Sequence, residues 1–123
     1  MATEKEIADA FDHMAADVPG FIAASLVDMD SGMTLAVRSN RSDFDLAVAS
    51  AYNSELVKQK MKIMQALNIK ASLEDMLLTL TDQLHLIKIL PNGGGFLYLA
   101  ADRSATNLAI LRSAVNKHCA GLV

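Results

Sequence analysis

The sequence predicts an α/β fold of three layers (α/β/α), in which helices cover both faces of one five-stranded antiparallel sheet. The first observation is the order of the elements, αββαβββα, which follows from the period of the apolar residues. The second is that several strands have apolar residues on both faces, as over residues 83–90, so each face needs a covering layer. The third is the length of 123 residues, which predicts a single domain over residues 1–123.

Each element has a local signal of its own. Thr3 and Glu6 have the spacing of a capping box at the start of the first helix. The sequence Met-Asp-Ser-Gly ending at Gly32 is typical of a hairpin turn. Ser42 is the expected N-cap of a long helix that contains no Pro or Gly. The predicted elements are a helix over residues 3–16, strands over 21–28 and 33–38, a helix over 43–67, strands over 73–80, 83–90 and 96–101, and a last helix that ends near Cys119.

The composition excludes several classes of protein. Hydrophobic residues make up 52% of the chain and charged residues 20%, which is typical of a globular domain. A net charge of −3 argues against nucleic-acid binding driven by overall charge, and a single Cys excludes an internal disulfide framework. No apolar run is long enough to span a membrane, and the first residues do not resemble a secretory signal. We therefore expect no nucleic-acid partner, no membrane insertion and a cytoplasmic location.

No group of residues predicts a catalytic or metal site. His13, His85 and His118 lie on different elements with no ligand spacing between them. The glycine run over residues 92–95 leads into a strand, whereas phosphate-binding loops lead into a helix. A calcium loop starting at Asp28 fails because its glycine is the fifth residue instead of the sixth, and the twelfth residue is Ser39 instead of glutamate. We therefore expect no catalytic residue, no cofactor and no metal, and a protein that is not an enzyme.

The long helix has more apolar surface than one face can hold. Turning its residues by about 100° each gives two apolar stripes. The first comprises Ala49, Tyr52, Leu56, Ile63 and Leu67. The second comprises Leu46, Val57, Met61 and Met64, with the small Ser50 and Ser54. One stripe can pack on the sheet of its own domain, and the other then needs a second surface.

The second stripe is the one predicted to face a partner. Its steps of four and three residues are the seam spacing of one helix along another. Small serines allow two helices to approach closely, and methionines adapt to irregular contacts. The alternative is that one broad stripe covers a wide sheet. The helix residues predicted to contact a partner are Leu46, Ser50, Ser54, Val57, Met61 and Met64.

Two stretches on either side of the long helix show a recognisable arrangement. Residues 20–36 form a strand ending in Asp, a turn with Gly and a short second strand, in the sequence GFIAASLVDMDSGMTLA. Residues 97–112 form a last strand and then Asn-Leu at the start of the last helix, in the sequence LYLAADRSATNLAILR. In this order and at this separation they resemble the Roadblock/dynein light chain family, including its bacterial MglB-like members.

The resemblance implies a fold related to profilin-like and longin-like domains, and a homodimer. In that family the long second helices pair, and the third strands join two sheets into one. Here these elements are residues 43–67 and the edge strand over residues 73–80, which adds Met76 and Leu78 to the predicted interface. Family members are scaffolds, parts of motor complexes or regulators of small Ras-like GTPases, and are not generally enzymes.

Two further expectations follow. Arg38, Arg41, Arg103 and Arg112 are available, but no motif marks one of them as an arginine finger for GTP hydrolysis. The alternative function is a small-ligand sensing domain of related α/β/α fold, whose ligand would lie between sheet and helix. His85 and Tyr98 are the candidate residues for such a ligand site.

Overall fold

The described residues fold into the predicted succession of three helices and five strands. The structure, a computed structural model, describes residues 2–119 and residue 122. The elements are α1 (Glu4–Asp17), β1 (Phe21–Asp28), β2 (Thr34–Ser39), α2 (Leu46–Ala66), β3 (Asp75–Thr79), β4 (Gln83–Ile89), β5 (Gly95–Asp102) and α3 (Leu108–Cys119).

The strands form one antiparallel sheet in the order β2-β1-β5-β4-β3. This confirms the predicted five-stranded antiparallel sheet. The central strands β1 and β5 are buried along nearly their whole length. The edge strands are β2 and β3, so the strand expected at an edge does lie there.

Two separate apolar layers confirm the three-layer architecture. On one face of the sheet, Phe11 and Met14 of α1 and Leu111 of α3 pack with leucines of β4 and β5. On the other face, Val57 of α2 belongs to one buried cluster with residues of β1 and β5 and with Ile87 of β4. Helix α2 lies mainly over β1 and β2, so it covers its side of the sheet unevenly.

The long helix and the third strand differ from the sequence-based expectation. Helix α2 begins at Leu46 because Asp45, and not Ser42, is the N-cap, its carboxylate accepting from the Val48 N–H at 3.1 Å. Strand β3 is shorter than predicted at both ends, since its pairing with β4 runs from Asp75 to Thr79. The last helix begins at Leu108, where the side chain of Asn107 caps it, in agreement with the Asn-Leu expected at its start.

The first helix begins as predicted. The Glu6 N–H donates to Thr3 Oγ1 at 3.1 Å, and the Thr3 N–H donates to Glu6 Oε1 at 3.3 Å. Both bonds of the capping box are therefore present. The capping box sets where α1 starts, and hence which of its side chains face the sheet.

Two glycines with the same backbone conformation allow the packing at the start of β1 to be tested. Gly20 has φ +75° and Gly93 has φ +73°, but a Cβ on Gly20 would lie 2.7 Å from Ala105 Cβ, whereas one on Gly93 would meet nothing within 4 Å. We expect Gly93→Ala to lower the free energy of unfolding by about 1 kcal/mol through backbone strain alone. Gly20→Ala should cost about 1–3 kcal/mol more, because the added methyl overpacks the site.

Urea denaturation of both variants, with the slope of the transition compared to that of the parent, measures this difference. Equal losses of stability in the two variants would show that the contact with Ala105 is not tight.

Candidate partner interface

Helix α2 presents an apolar stripe to solvent. Its members are between 38% and 70% exposed and fall within a sector of about 100° around the helix axis. They are Val48, Tyr52, Leu56, Ile63 and Leu67. Four of these belong to the first stripe of the sequence analysis, and Val48 was missed. Exposed apolar side chains collected along one line mark a contact surface, whereas single ones do not.

The sequence assigned the two stripes to the wrong surfaces. Leu46, Ser50, Ser54 and Val57 are buried within the chain itself, at no more than 7% exposure. Almost none of their surface is exposed to contact a second copy. The prediction that they form the partner contact is therefore wrong for these four residues. The period of a sequence locates two stripes on a helix, but it does not say which one faces the sheet.

The small serines serve a contact inside the domain. Ser54 Oγ donates to the carbonyl oxygen of Met29 at 3.0 Å, and Thr34 Oγ1 donates to Ser50 Oγ at 2.7 Å. A Cβ on Gly32 would lie 3.4 Å from Ser54 Cβ, so helix and hairpin approach closely. These serines were predicted to let a second helix approach closely, whereas the element they contact is the β1–β2 hairpin of the same chain.

The other four predicted residues keep some exposed surface. Met61 is 36% exposed and Met64 is half-buried near the end of α2. Met76 and Leu78 are half-buried on β3, on the α2 side of the sheet. These two therefore lie on the same side of the sheet as the exposed stripe of α2.

The outer edge of β3 is free for pairing among the described residues, since β4 is its one neighbour in the sheet. Free strand edges bind further strands unless charged residues or proline block them. Arg112 of α3 binds Asp75 with two hydrogen bonds of 2.9 Å, which holds the start of β3 against the domain. The hydrogen bonds and the charge of Asp75 also raise the pKa of Arg112.

The two candidates for a small-ligand site bind each other. Tyr98 OH lies 3.1 Å from His85 Nδ1, and His85 Nε2 lies 2.7 Å from Gln83 Oε1. The ring of Phe44 stacks on Tyr98 at 6.4 Å and meets His85 edge-on at 6.3 Å. The Gln83 oxygen accepts from Nε2, which leaves Nδ1 to accept from Tyr98. Both rings are satisfied within the chain, which argues against a ligand site at these residues.

Burial shifts the pKa of both His85 and Tyr98. It lowers the pKa of His85, against a smaller opposing effect of the Asp82 charge. It also raises the pKa of Tyr98 to about 12, so the phenol stays protonated and can donate to the imidazole. The neutral forms of both groups are therefore the stable ones at neutral pH.

The remaining histidines form a structural contact between helices. His13 of α1 stacks on His118 of α3 at 5.4 Å, and His118 Nε2 lies 2.7 Å from Asp17 Oδ2. This hydrogen bond lowers the pKa of Asp17.

Over residues 2–119 and 122, no group of three or more His, Cys, Asp or Glu side chains could hold a metal ion. Likewise, no helix of this described part combines the length and hydropathy needed to cross a membrane.

Several solved structures superpose on this chain over most of its length. Myxococcus xanthus MglB superposes with a TM-score of 0.85 at 14% identity, covering 97% of this chain and 93% of that one. A Roadblock/LC7 domain from Streptomyces avermitilis gives 0.79 at 18% identity, covering 92% and 91%. The gliding protein MglB from Thermus thermophilus gives 0.79 at 13% identity, covering 96% and 86%. Neither protein-family models nor curated protein sequences match the chain.

The chain thus has the fold of Roadblock/LC7 domains, and in particular that of MglB structures. The resemblance given by residues 20–36 and 97–112 is confirmed at the level of the fold. The identities are too low for the fold to establish function, which has to be argued from the surfaces of this chain.

The half-buried His85 predicts a pH-dependent stability. Since the folded chain holds the pKa of His85 below its ordinary 6.5, the unfolded chain takes up the proton first as the pH falls. The contribution of His85 to stability is complete above the ordinary pKa and is lost as the pH drops below it. We expect the free energy of unfolding to fall between about pH 7.5 and pH 5.5, and to fall less in His85→Gln.

Urea denaturation at the two pH values tests this expectation. Tyr98→Phe is the matched control: it removes the hydroxyl but keeps the ring that buries His85, so the loss at low pH should persist. An unchanged loss in His85→Gln would assign the pH dependence to other groups.

Proposed function

We propose that the protein is a homodimeric, non-enzymatic regulatory scaffold that binds a small Ras-like GTPase. The observation that supports this most is that α2 carries an exposed apolar stripe while the outer edge of β3 is open among the described residues. Such a pair of surfaces suits a two-fold dimer, because each copy offers the other the same helix and the same strand. We also propose that it works as a single Roadblock-like domain in the cytoplasm.

The uneven cover of the sheet supports the dimer. Helix α2 lies mainly over β1 and β2, which leaves the sheet beside it, near β4 and β3, to loop residues such as Phe44 and Leu73. A second α2 placed there would contact the exposed stripe and the half-buried Met76 and Leu78 together. One partner element would thereby cover both surfaces.

The charges on α2 favour an antiparallel pairing. Asp45 caps its start, whereas Lys60 lies in its second half, next to the exposed stripe. Antiparallel helices bring the acidic part of one copy beside the basic part of the other, and parallel helices would oppose like charges. The antiparallel arrangement is also the one that a two-fold axis across the helices produces.

The arginines support a binding role rather than acceleration of GTP hydrolysis. Each of the four donates to another part of its own chain. The pairs are Arg38 with Asp12, Arg41 with Asp43, Arg103 with the Leu80 carbonyl and Arg112 with Asp75. An arginine finger has to reach a partner's phosphates, and these side chains would first have to leave their contacts.

A substitution that introduces a charge on the exposed stripe of α2 tests the proposed dimer. Ile63→Asp places a carboxylate on a residue that is 42% exposed in one chain but covered in the proposed dimer. Burying it unpaired in both copies should cost about 3–5 kcal/mol per site, enough to give a folded monomer. Sedimentation velocity measures the change, and circular dichroism confirms the fold.

Two matched variants complete this test. Leu35→Asp changes a residue that is 61% exposed at the opposite edge of the sheet, and it should remain dimeric. Val57→Asp should unfold the chain rather than dissociate it, because Val57 is fully buried in its own domain. A wild-type chain that stays monomeric at hundreds of micromolar would contradict the dimer.

The GTPase partner is tested separately. Immobilised protein is exposed to a panel of small Ras-like GTPases, each loaded with GDP or with a non-hydrolysable GTP analogue. We expect one nucleotide state of a partner to be retained and Ile63→Asp to weaken its retention. Single-turnover hydrolysis should change by less than about tenfold, whereas an arginine finger gives about a thousandfold or more.

Arg103→Ala is the control for that rate. A large acceleration that is lost in Arg103→Ala would show an activating role instead of a scaffold. Equal retention of all GTPases in both nucleotide states would argue against regulation by nucleotide.

A further inference from the structure

Strand β2 forms the second edge of the sheet, at the opposite end of the strand order from β3. Its one neighbour among the described residues is β1. Edge strands are commonly blocked by charged side chains, proline or bulges. Strand β2 contains no proline, its charged residue Arg38 is bonded to Asp12 of α1, and a bulge interrupts the pairing at Leu35. Residues 36–39 therefore keep a regular outer edge with which another strand can pair.

Large apolar side chains project from both sides of this edge. Met33, Leu35 and Val37 are 66%, 61% and 56% exposed. Val37 lies opposite Ser25 of β1, and the neighbours of Ser25 on that face of the sheet pack with α2. Leu35 points to the other side, where it lines a groove together with Ile7 of α1. Exposed apolar side chains collected along one strand edge mark a contact surface.

The groove beside Leu35 is apolar. It has a volume of about 460 Å³ and lies between the start of α1, the end of β1 and the loop between β4 and β5. Leu26, Leu90 and Leu122 line it together with Ile7, and all four belong to the apolar layer on the α1 side of the sheet. The groove can therefore take up an apolar side chain of a partner without using the face of the sheet that α2 covers.

The surroundings of β2 are acidic. Residues 1–57, which contain α1, the β1–β2 hairpin and the first half of α2, have ten acidic and three basic side chains. The three basic ones are held in ion pairs, Lys5 with Asp9, Arg38 with Asp12 and Arg41 with Asp43. An excess of carboxylates on one surface attracts basic partners.

Two of these carboxylates lie at the turn beside Met33. The Asp28 N–H donates to the Met33 carbonyl oxygen at 2.9 Å, and Ser31 bonds to the Asp28 carboxylate and lowers its pKa. Asp30 is exposed at the same turn. Lys58 of α2 reaches the turn too, but it donates to the Asp30 carbonyl oxygen at 2.8 Å, so one positive charge faces two carboxylates.

We propose that β2 binds an extended segment of a partner protein in which apolar and basic residues alternate. A strand added to a sheet edge gains main-chain hydrogen bonds, and pockets for its alternate side chains give selectivity. Alternate residues of the segment point to opposite sides of the sheet. The apolar ones contact Leu35 and the groove, whereas the stems of the basic ones lie on Val37 and their charges reach the acidic turn.

A second copy of this chain fits the edge less well. Its own β2 would bring the same acidic turn to this surface, and like charges placed opposite each other disfavour pairing. A basic segment instead meets charges of opposite sign.

Binding at β2 does not depend on the proposed dimer, which uses α2 and β3. The monomeric variant Ile63→Asp should therefore bind the segment as the parent does. Leu35→Ser, in contrast, should remain dimeric while it loses affinity for the segment. Failure of one proposal is thus distinguishable from failure of the other.

A designed peptide tests the apolar contact. A fluorescent peptide of about nine residues, alternating Val and Lys, is titrated with the full chain and followed by anisotropy. We expect saturable binding that weakens with added salt. Leu35→Ser should weaken it by about tenfold, because an apolar contact is lost. The control Leu80→Ser makes the same change after β3, at a residue that is 39% exposed, and should alter the affinity less than about twofold.

A second pair of variants tests the charge. Asp30→Lys should weaken binding by about fivefold, since an attraction becomes a repulsion. Asp82→Lys makes the same charge change at the turn between β3 and β4 and should alter the affinity less than about twofold. Equal effects of the two variants would mean that the peptide responds to overall charge, which would overturn the proposal.

The methionines locate the contact. In a sample with 13C-labelled methionine methyl groups, the peptide should shift the resonance of Met33 beside β2 and leave that of Met76 on β3. Shifts confined to Met76 would place the peptide at the other edge and contradict the proposal. So would equal binding of a peptide that alternates Val and Glu, or of one with the valines and lysines in two separate blocks.

Discussion

The close contact between α2 and the β1–β2 hairpin sets the rotation of the long helix, and the exposed surfaces of the domain depend on that rotation. Ser54 bonds to the Met29 carbonyl and Ser50 to Thr34, while Gly32 leaves room for the helix to approach. A hydroxyl bonded to a buried carbonyl is satisfied in one orientation, since turning the helix would bury it without a partner. Small, polar residues thereby specify the orientation of α2 more sharply than a purely apolar stripe would.

This orientation has a consequence for the whole sheet. With the serine side turned to the hairpin, α2 lies mainly over β1 and β2, and the sheet face near β3 has no helix of its own chain over it among the described residues. Phe44, which lies before the N-cap Asp45, covers part of this face by packing on Tyr98 and His85. The position of α2 thus leaves the sheet face near β3 open on the same side of the sheet as the exposed stripe.

The sequence was sufficient for the architecture but not for the interface. The element order, the three layers and the edge position of the third strand follow from apolar period and resemblance, because these depend on local patterns and on few alternatives. The two stripes of α2 were also found. Their assignment failed because serine suits a neighbouring helix and a neighbouring hairpin equally well. The deciding contact, from Ser54 to Met29, joins residues 25 positions apart, which no periodicity reveals.

The direction of pairing, in contrast, depends on a charge that is readable from the sequence and gains its meaning only from the fold. Lys60 and Lys62 are two positions apart in sequence, yet at about 100° per residue they point to different sides of the helix. Lys60 lies next to the exposed stripe, where it can meet the acidic start of a second α2, whereas Lys62 points away from the stripe. The rotation of α2 therefore decides which lysine of this basic segment can set the direction of pairing in the proposed dimer.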